Sequence, residues 1–135
     1  MSNFEKALKR LLENLPSEIF KNGKVGIEKE NLRVRNNNIS QGPHPESIGS
    51  SLCNKYITTD FSESQLELIT PPYKGTIHTI NFLEDTHHFV LKNIKDEYLW
   101  PMSMPPFIKN EKDISIADYG PSSVGLFKKI YRRGL

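Results

Sequence analysis

At 135 residues the chain fits one domain, and its 36% hydrophobic and 25% charged residues are those of a somewhat polar but folded protein, not a disordered one. Eighteen basic against sixteen acidic residues leave a formal net charge of +2, too balanced for nucleic acid to be the main partner. A single cysteine, Cys53, excludes an intrachain disulfide, and no apolar run of about 18 residues suggests a membrane span.

In chain order, residues 3–15 read as a helix, because Phe4, Ala7, Leu8, Leu11, Leu12 and Leu15 recur at steps of three and four, and Pro16 follows. This charged, amphipathic start lacks the apolar stretch of a secretion signal, so a reducing, cytoplasmic setting is expected. Residues 17–22 could form a further helical turn, stopped by Gly23. Residues 24–35 favour a strand through Val25, Ile27 and Val34, and Asn36-Asn37-Asn38 is a turn signal. Residues 39–55 read mostly as loop, with room for a short helix between Pro45 and Leu52.

Residues 55–61 and 64–70 read as two strands joined by a tight step at Ser62-Glu63. Residues 76–98 read as the longest helix, with Ile77, Ile80, Leu83, His87, Leu91, Ile94 and Tyr98 along its apolar face. Three prolines between 101 and 106 require an irregular, extended segment. Residues 121–131 open another helix, with Pro121 near its first turn. The basic cluster Lys128, Lys129, Arg132 and Arg133 reads as a solvated face. The stop after Arg132-Arg133-Gly134-Leu135, with no tail or linker, suggests a truncated chain.

Acidic residues inside strand-like sequence carry the chemistry. Glu28 and Glu30, two apart, share one face of a strand. Glu67 sits between Leu66 and Leu68, and Asp60 ends the preceding strand. Buried carboxylates cost several kcal/mol each unless matched by a cation or a proton. Converging hard oxygen ligands suit Mg²⁺ or Mn²⁺, the ions of phosphoryl transfer. The competing reading pairs these carboxylates with Lys24, Lys29, Arg33 and Arg35 on the wet face of an antiparallel sheet. Neither a P-loop nor a dinucleotide-binding glycine motif occurs, and no histidine pair has zinc spacing. Cys53 has no histidine in a nucleophile pattern and reads as a small half-buried residue. His87 reads as a hydrogen-bonded core histidine, and the role of His44, between two prolines, stays open.

Five segments in order resemble the proteobacterial glutamate–cysteine ligases: Gly26 to Val34 (GIEKENLRV), Gly42 to Leu52 (GPHPESIGSSL), Tyr56 to Pro72 (YITTDFSESQLELITPP), Leu99 to Ile108 (LWPMSMPPFI) and Ile116 to Leu135 (IADYGPSSVGLFKKIYRRGL). Ser123 stands where the family usually has Asn, and Cys53 where Thr is common. The resemblance implies an α+β fold, a curved, largely antiparallel sheet flanked by helices and related to glutamine synthetase. It implies that residues 1–135 are the N-terminal part of one catalytic domain.

The implied reaction uses ATP to form γ-glutamyl phosphate from L-glutamate, which the amine of L-cysteine then attacks, the first step of glutathione biosynthesis. By resemblance Glu28, Glu30, Asp60 and Glu67 match carboxylates that hold Mg²⁺. Phe61, Tyr131 and Leu135 match residues shaping the cysteine side-chain pocket, and Arg132 matches a catalytic arginine near substrate carboxylate, a role that suits a bidentate guanidinium. The implied partners are glutamate, cysteine and ATP, with neither nucleic acid nor membrane. Because family members are several times longer, the 135 residues alone are expected to be inactive. The alternatives are a non-catalytic remnant and a related carboxylate–amine ligase with another amino-acid acceptor.

Overall fold

The computed structural model describes residues 1–15 and 21–134, so the expected helical turn at 17–22 falls largely outside the described residues, as does Leu135. Helix α1 (Asn3–Asn14) starts at Ser2, whose side chain accepts from the Glu5 amide while Glu5 accepts from the Ser2 amide at 2.6 Å. This reciprocal cap satisfies two of the amides that a helix start leaves unpaired. None of its residues is buried, and Phe4, Leu8, Leu11 and Leu12 are exposed.

The sheet is built on β1 (Glu28–Arg35), and every pairing in it is antiparallel. β1 pairs with β2 (Asn38–Ile39) across a tight turn in which Asn36 and Asn37 have φ 50° and 60°. Two positive φ values in a two-residue hairpin match the twist of the flanking strands, and Asn tolerates them better than most residues. β4 (Gln65–Ile69) runs beside β1 and carries β3 (Ile57–Thr59) on its far side. The expected first strand is thus four residues shorter at its start, though Val25 still bridges to Tyr73.

The core lies on one side of the sheet. Ile57, Leu66 and Leu68 from the strands meet Val90 and Ile94, with Ile48 and Leu99 closing the cluster. Ile48 belongs to a 3₁₀ turn, Glu46–Ile48, the short helix expected in the 45–52 loop. Each of these apolar side chains contributes roughly 1.5–3 kcal/mol on burial.

Helix α2 (Thr76–Asn93) covers this side, and here the structure corrects the sequence expectation twice. The helix stops at Asn93; Lys95 has φ 50°, and Tyr98 and Leu99 form β5, paired to β1 at Val34 and Arg33. The buried face is also rotated: Thr79 and Val90 are buried and Leu83 packs on the core, whereas Ile77, Ile80 and Leu91 are exposed. Periodicity located the helix, but the core took the stripe whose side chains reach Leu66 and Leu68. The reason for the early stop is Glu97, which is buried against Arg33 at 2.6 Å and so must leave the helix axis.

Helix α3 (Ser123–Arg133) starts at Ser122, whose side chain accepts from the Gly125 amide. The resulting architecture is α+β, with an antiparallel sheet and helices around it.

Candidate functional site

The pleat of β1 separates two sets of side chains. Lys29, Asn31 and Arg33 face the core side with Leu66 and Leu68; Glu28 and Glu30 face the other. Register places Glu30 directly across from Glu67, and Glu67 across from Thr58 of β3. Glu28 lies opposite Ile69, one step along the same face. Asp60, just beyond β3 and two residues past Thr58, continues this row, its amide bonded to the Gln65 carbonyl at 3.0 Å. The four carboxylates picked out from the sequence are therefore brought to one side of the sheet.

Their proximity shows in the ionisation of Glu67. Burial pushes its carboxyl above the ordinary range, and the charges of Asp60, Glu28 and Glu30 push it further, while the Arg132 guanidinium pulls it back. Gln65 donates to Glu30 at 2.5 Å and holds that side chain in the row. Among the described residues no three Asp, Glu, His or Cys side chains close around a common point. The carboxylates form a facing surface and not a cage. That donor set fits Mg²⁺, which takes one or two protein carboxylates and completes its shell with water and phosphate oxygens.

The bland alternative, pairing with nearby cations, loses its main partners. Arg33 is 1% exposed on the opposite side, where it donates to Glu97, to the Gly42 carbonyl at 2.7 Å and to the Glu63 carbonyl at 2.8 Å. Ser40 donates to the second oxygen of Glu97, and Arg35 also lies by Glu97, at 3.8 Å. Lys29 sits under α2 with its ammonium 3.1 Å from His87 Nδ1. Burial lowers the pKa of both Lys29 and His87, and the lysine charge lowers His87 further. His87 is thus hydrogen-bonded, as its helix position suggested, but half-buried and outside the core cluster expected of it.

At the end of the carboxylate row, Arg132 reaches from α3 to Asp60 at 2.9 Å. Asp60, Phe61, Lys128, Tyr131 and Arg132 line a hollow of about 380 Å³. Phe61 and Tyr131 are both substantially exposed on its wall, so the structure does bring together the residues matched to a cysteine pocket, Leu135 lying outside the described residues.

What holds α3 against Asp60 was not legible in the sequence. Glu63 is 6% exposed, and its two carboxylate oxygens accept from the amides of His44 at 2.7 Å and Asp118 at 2.5 Å. Its own amide donates to the Ser115 carbonyl at 2.7 Å, and the Ala117 amide to that of Phe61 at 3.1 Å. Tyr119 then donates its hydroxyl to the carbonyls of Thr59 and Asp60, the latter at 3.1 Å. The 115–119 segment is stitched to the 59–63 turn before Gly120, at φ 80°, redirects the chain into α3. In the sequence Glu63 is only an acidic residue at the tight step between two strands, where a charge is ordinarily solvated, and nothing local names its partners.

His44 bonds Thr59 through Nδ1 at 2.7 Å, and burial lowers its pKa. It borders another, larger hollow of about 640 Å³ with Glu63 and Tyr119, and none of the four row carboxylates lines it. Cys53 is a free, exposed thiol, not the half-buried residue expected. No helix among the described residues is long and apolar enough to cross a membrane.

Residues 8–135 match the family described as glutamate-cysteine ligase. The chain is 56% identical over 111 residues to a glutamate–cysteine ligase of Wigglesworthia glossinidia brevipalpis, a match covering 82% of this chain and 22% of that protein. It is 46% identical over 136 residues to the one from Aliivibrio fischeri, covering 100% and 26%. Among solved structures, the glutamate–cysteine ligase of Francisella tularensis in complex with AMP superposes with a TM-score of 0.77 at 43% identity, over 82% of this chain and 22% of that one. A bifunctional glutathione synthetase from Pasteurella multocida gives 0.69 at 36% identity, over 87% and 16%. The chain thus spans about a quarter or less of the length of these relatives.

Proposed function

Because this chain belongs to the glutamate–cysteine ligase family, we propose that it supplies the metal-facing and acceptor-binding part of an ATP-dependent ligase that joins the γ-carboxylate of L-glutamate to L-cysteine. Residues 1–135 are the N-terminal part of the catalytic domain, working in the cytoplasm. The observation that carries this reading is the row Glu28, Glu30, Glu67 and Asp60 on one face, with Arg132 closing its end.

A carboxylate is a poor acyl donor, and phosphorylation by ATP converts one of its oxygens into a leaving group. Glu28, Glu30, Asp60 and Glu67 would share bound Mg²⁺, each ion taking one or two of them, and the metal would supply the positive charge that lets a triphosphate and an anionic carboxylate approach each other. The four carboxylates bind and fix that charge. Arg132, neutralised by Asp60, orients the acceptor beside the row. Phe61 and Tyr131 surround the acceptor side chain and keep water from it. No nucleophilic Ser or Cys is needed, in keeping with the exposed position of Cys53. Its nucleotide-bound relative supports the use of ATP.

The metal part of this reading is tested without turnover. Mn²⁺ titrated into the chain with carboxyl-labelled Asp and Glu should broaden the signals of Glu28, Glu30, Glu67 and Asp60 first, and excess Mg²⁺ should reverse it. Broadening confined to the helix carboxylates Glu84 and Asp85 would refute the site. Purified alone, the 135 residues should release no ADP on addition of glutamate, cysteine and ATP, and activity from that chain would refute the partial-domain assignment. In a family-length protein carrying this segment, a comparison of amino-acid acceptors separates the cysteine ligase from a ligase with another acceptor.

A further inference from the structure

The cations of α3 are not equivalent. Lys129 is paired with Asp118, and Arg132 with Asp60 at 2.9 Å. Lys128 lies one turn before Arg132 on the same side of the helix. Its ammonium stands 4.5 Å from the centroid of the Tyr119 ring, with Arg132 5.5 Å from the same ring. No carboxylate among the described residues is within ion-pair distance of Lys128, yet it lines the hollow with Asp60, Phe61, Tyr131 and Arg132. Counting charges at this hollow, Asp60 and Arg132 cancel, and Lys128 leaves it with one net positive charge.

We propose that Lys128 is the principal anchor for the α-carboxylate of the acceptor amino acid, with Tyr119 as the platform that aims it. This rests on the reading above that the hollow receives cysteine. Arg132 already has a carboxylate partner in Asp60 at 2.9 Å. Lys128 has no such partner among the described residues. The ring beneath it is fixed through the Tyr119 hydroxyl to the carbonyls of Thr59 and Asp60. A cation held over an aromatic face is restrained without being neutralised, so it keeps its charge available for an incoming anion. A net charge of +1 matches an amino acid whose amine is uncharged, the form that can attack an acyl phosphate, better than it matches the zwitterion.

The test uses the isotopically labelled chain, L-cysteine and L-cysteine methyl ester, the ester lacking the anionic group. L-cysteine should shift the α3 amides around Lys128. Lys128→Met keeps length and helix propensity, and should weaken L-cysteine about tenfold, the loss of one charge-assisted hydrogen bond. The ester should bind parent and variant alike, and Lys128→Arg should restore L-cysteine binding. Equal L-cysteine affinity in parent and Lys128→Met would overturn the role of Lys128 and leave the pocket standing. Weakening of acid and ester together would show a packing role only, and would overturn it too. If neither compound shifts α3 in the parent at millimolar concentration, the cysteine-pocket reading falls, and this inference with it.

Discussion

Replacing Glu67 by Gln separates a metal ligand from a structural ion-pair residue, because the two roles predict stability changes of opposite sign. Glutamine keeps the volume and the strand geometry and removes the charge. In the folded chain Glu67 faces Glu30 directly across the β1–β4 ladder, and Asp60 and Glu28 add like charge nearby. Like charges directly opposed across strands cost about 0.2–1 kcal/mol. The more distant pairs add less through solvent, and Arg132 offsets part of the sum. Without metal at pH 7, Glu67→Gln should therefore stabilise the chain by about 0.5–1 kcal/mol, roughly 2–5 °C in Tm for this size.

The pH dependence has a definite sign. Glu67 holds its proton more tightly folded than unfolded, so the parent loses stability as pH rises through that carboxyl's range. The advantage of the variant is full near neutrality and disappears in acid, where the parent carboxyl is protonated. Added Mg²⁺ should reverse the order, raising the Tm of the parent more than that of the variant, because only the parent presents the full ligand row. Thermal melts at two pH values, with and without Mg²⁺, measure all of this. A variant that melts several degrees below the parent at pH 7 without metal would refute the argument, since Glu67 would then be stabilised by a cation partner.

Glu97→Ala should lower stability by about 3–5 kcal/mol, because it leaves the Arg33 guanidinium buried and unmatched; denaturant titration reads the loss, and a cost below about 1 kcal/mol would mean that water reaches Arg33. Gly125→Ala places a Cβ 2.6 Å from the Gly120 carbonyl and 2.7 Å from that of Tyr119, so α3 must shift. It should cost about 1–3 kcal/mol and move the Arg132 side-chain signals; an unchanged spectrum would show that the turn gives way instead. His87→Leu should flatten the acid limb of stability. The His87 pKa is lowered by burial and by Lys29, so the parent loses stability as pH falls through the ordinary histidine range, about 6.5. A melt series from pH 8 to about 5 in both proteins checks it.

Much of this protein is settled by local sequence. The strand at Glu28–Arg35, the turn at Asn36-Asn37, the paired strands around Thr58 and Glu67, and a helix starting near Thr76 follow from side-chain period and turn chemistry, which act over a few residues. The alternation of Glu28, Lys29 and Glu30 likewise determines that the two glutamates share a face, since the pleat has period two. Which face carries them is a different question. Lys29, Asn31 and Arg33 look no more core-like than Glu28 and Glu30, and only pairing with Leu66 and Leu68, under α2, turns them inward.

The tertiary structure also decided where α2 ends. Residues 94–98 continue a plausible helical pattern, but the buried contact of Glu97 with Arg33, 64 residues away in sequence, outweighs local propensity. The same holds for the candidate site. The sequence marked Asp60 and Arg132 individually; their contact exists because Glu63 and Tyr119 bind the 115–119 segment to the 59–63 turn. Contacts of that kind join residues more than fifty positions apart, and their strength comes from burial and from satisfying backbone amides that water cannot reach. Neither quantity exists until the chain has folded.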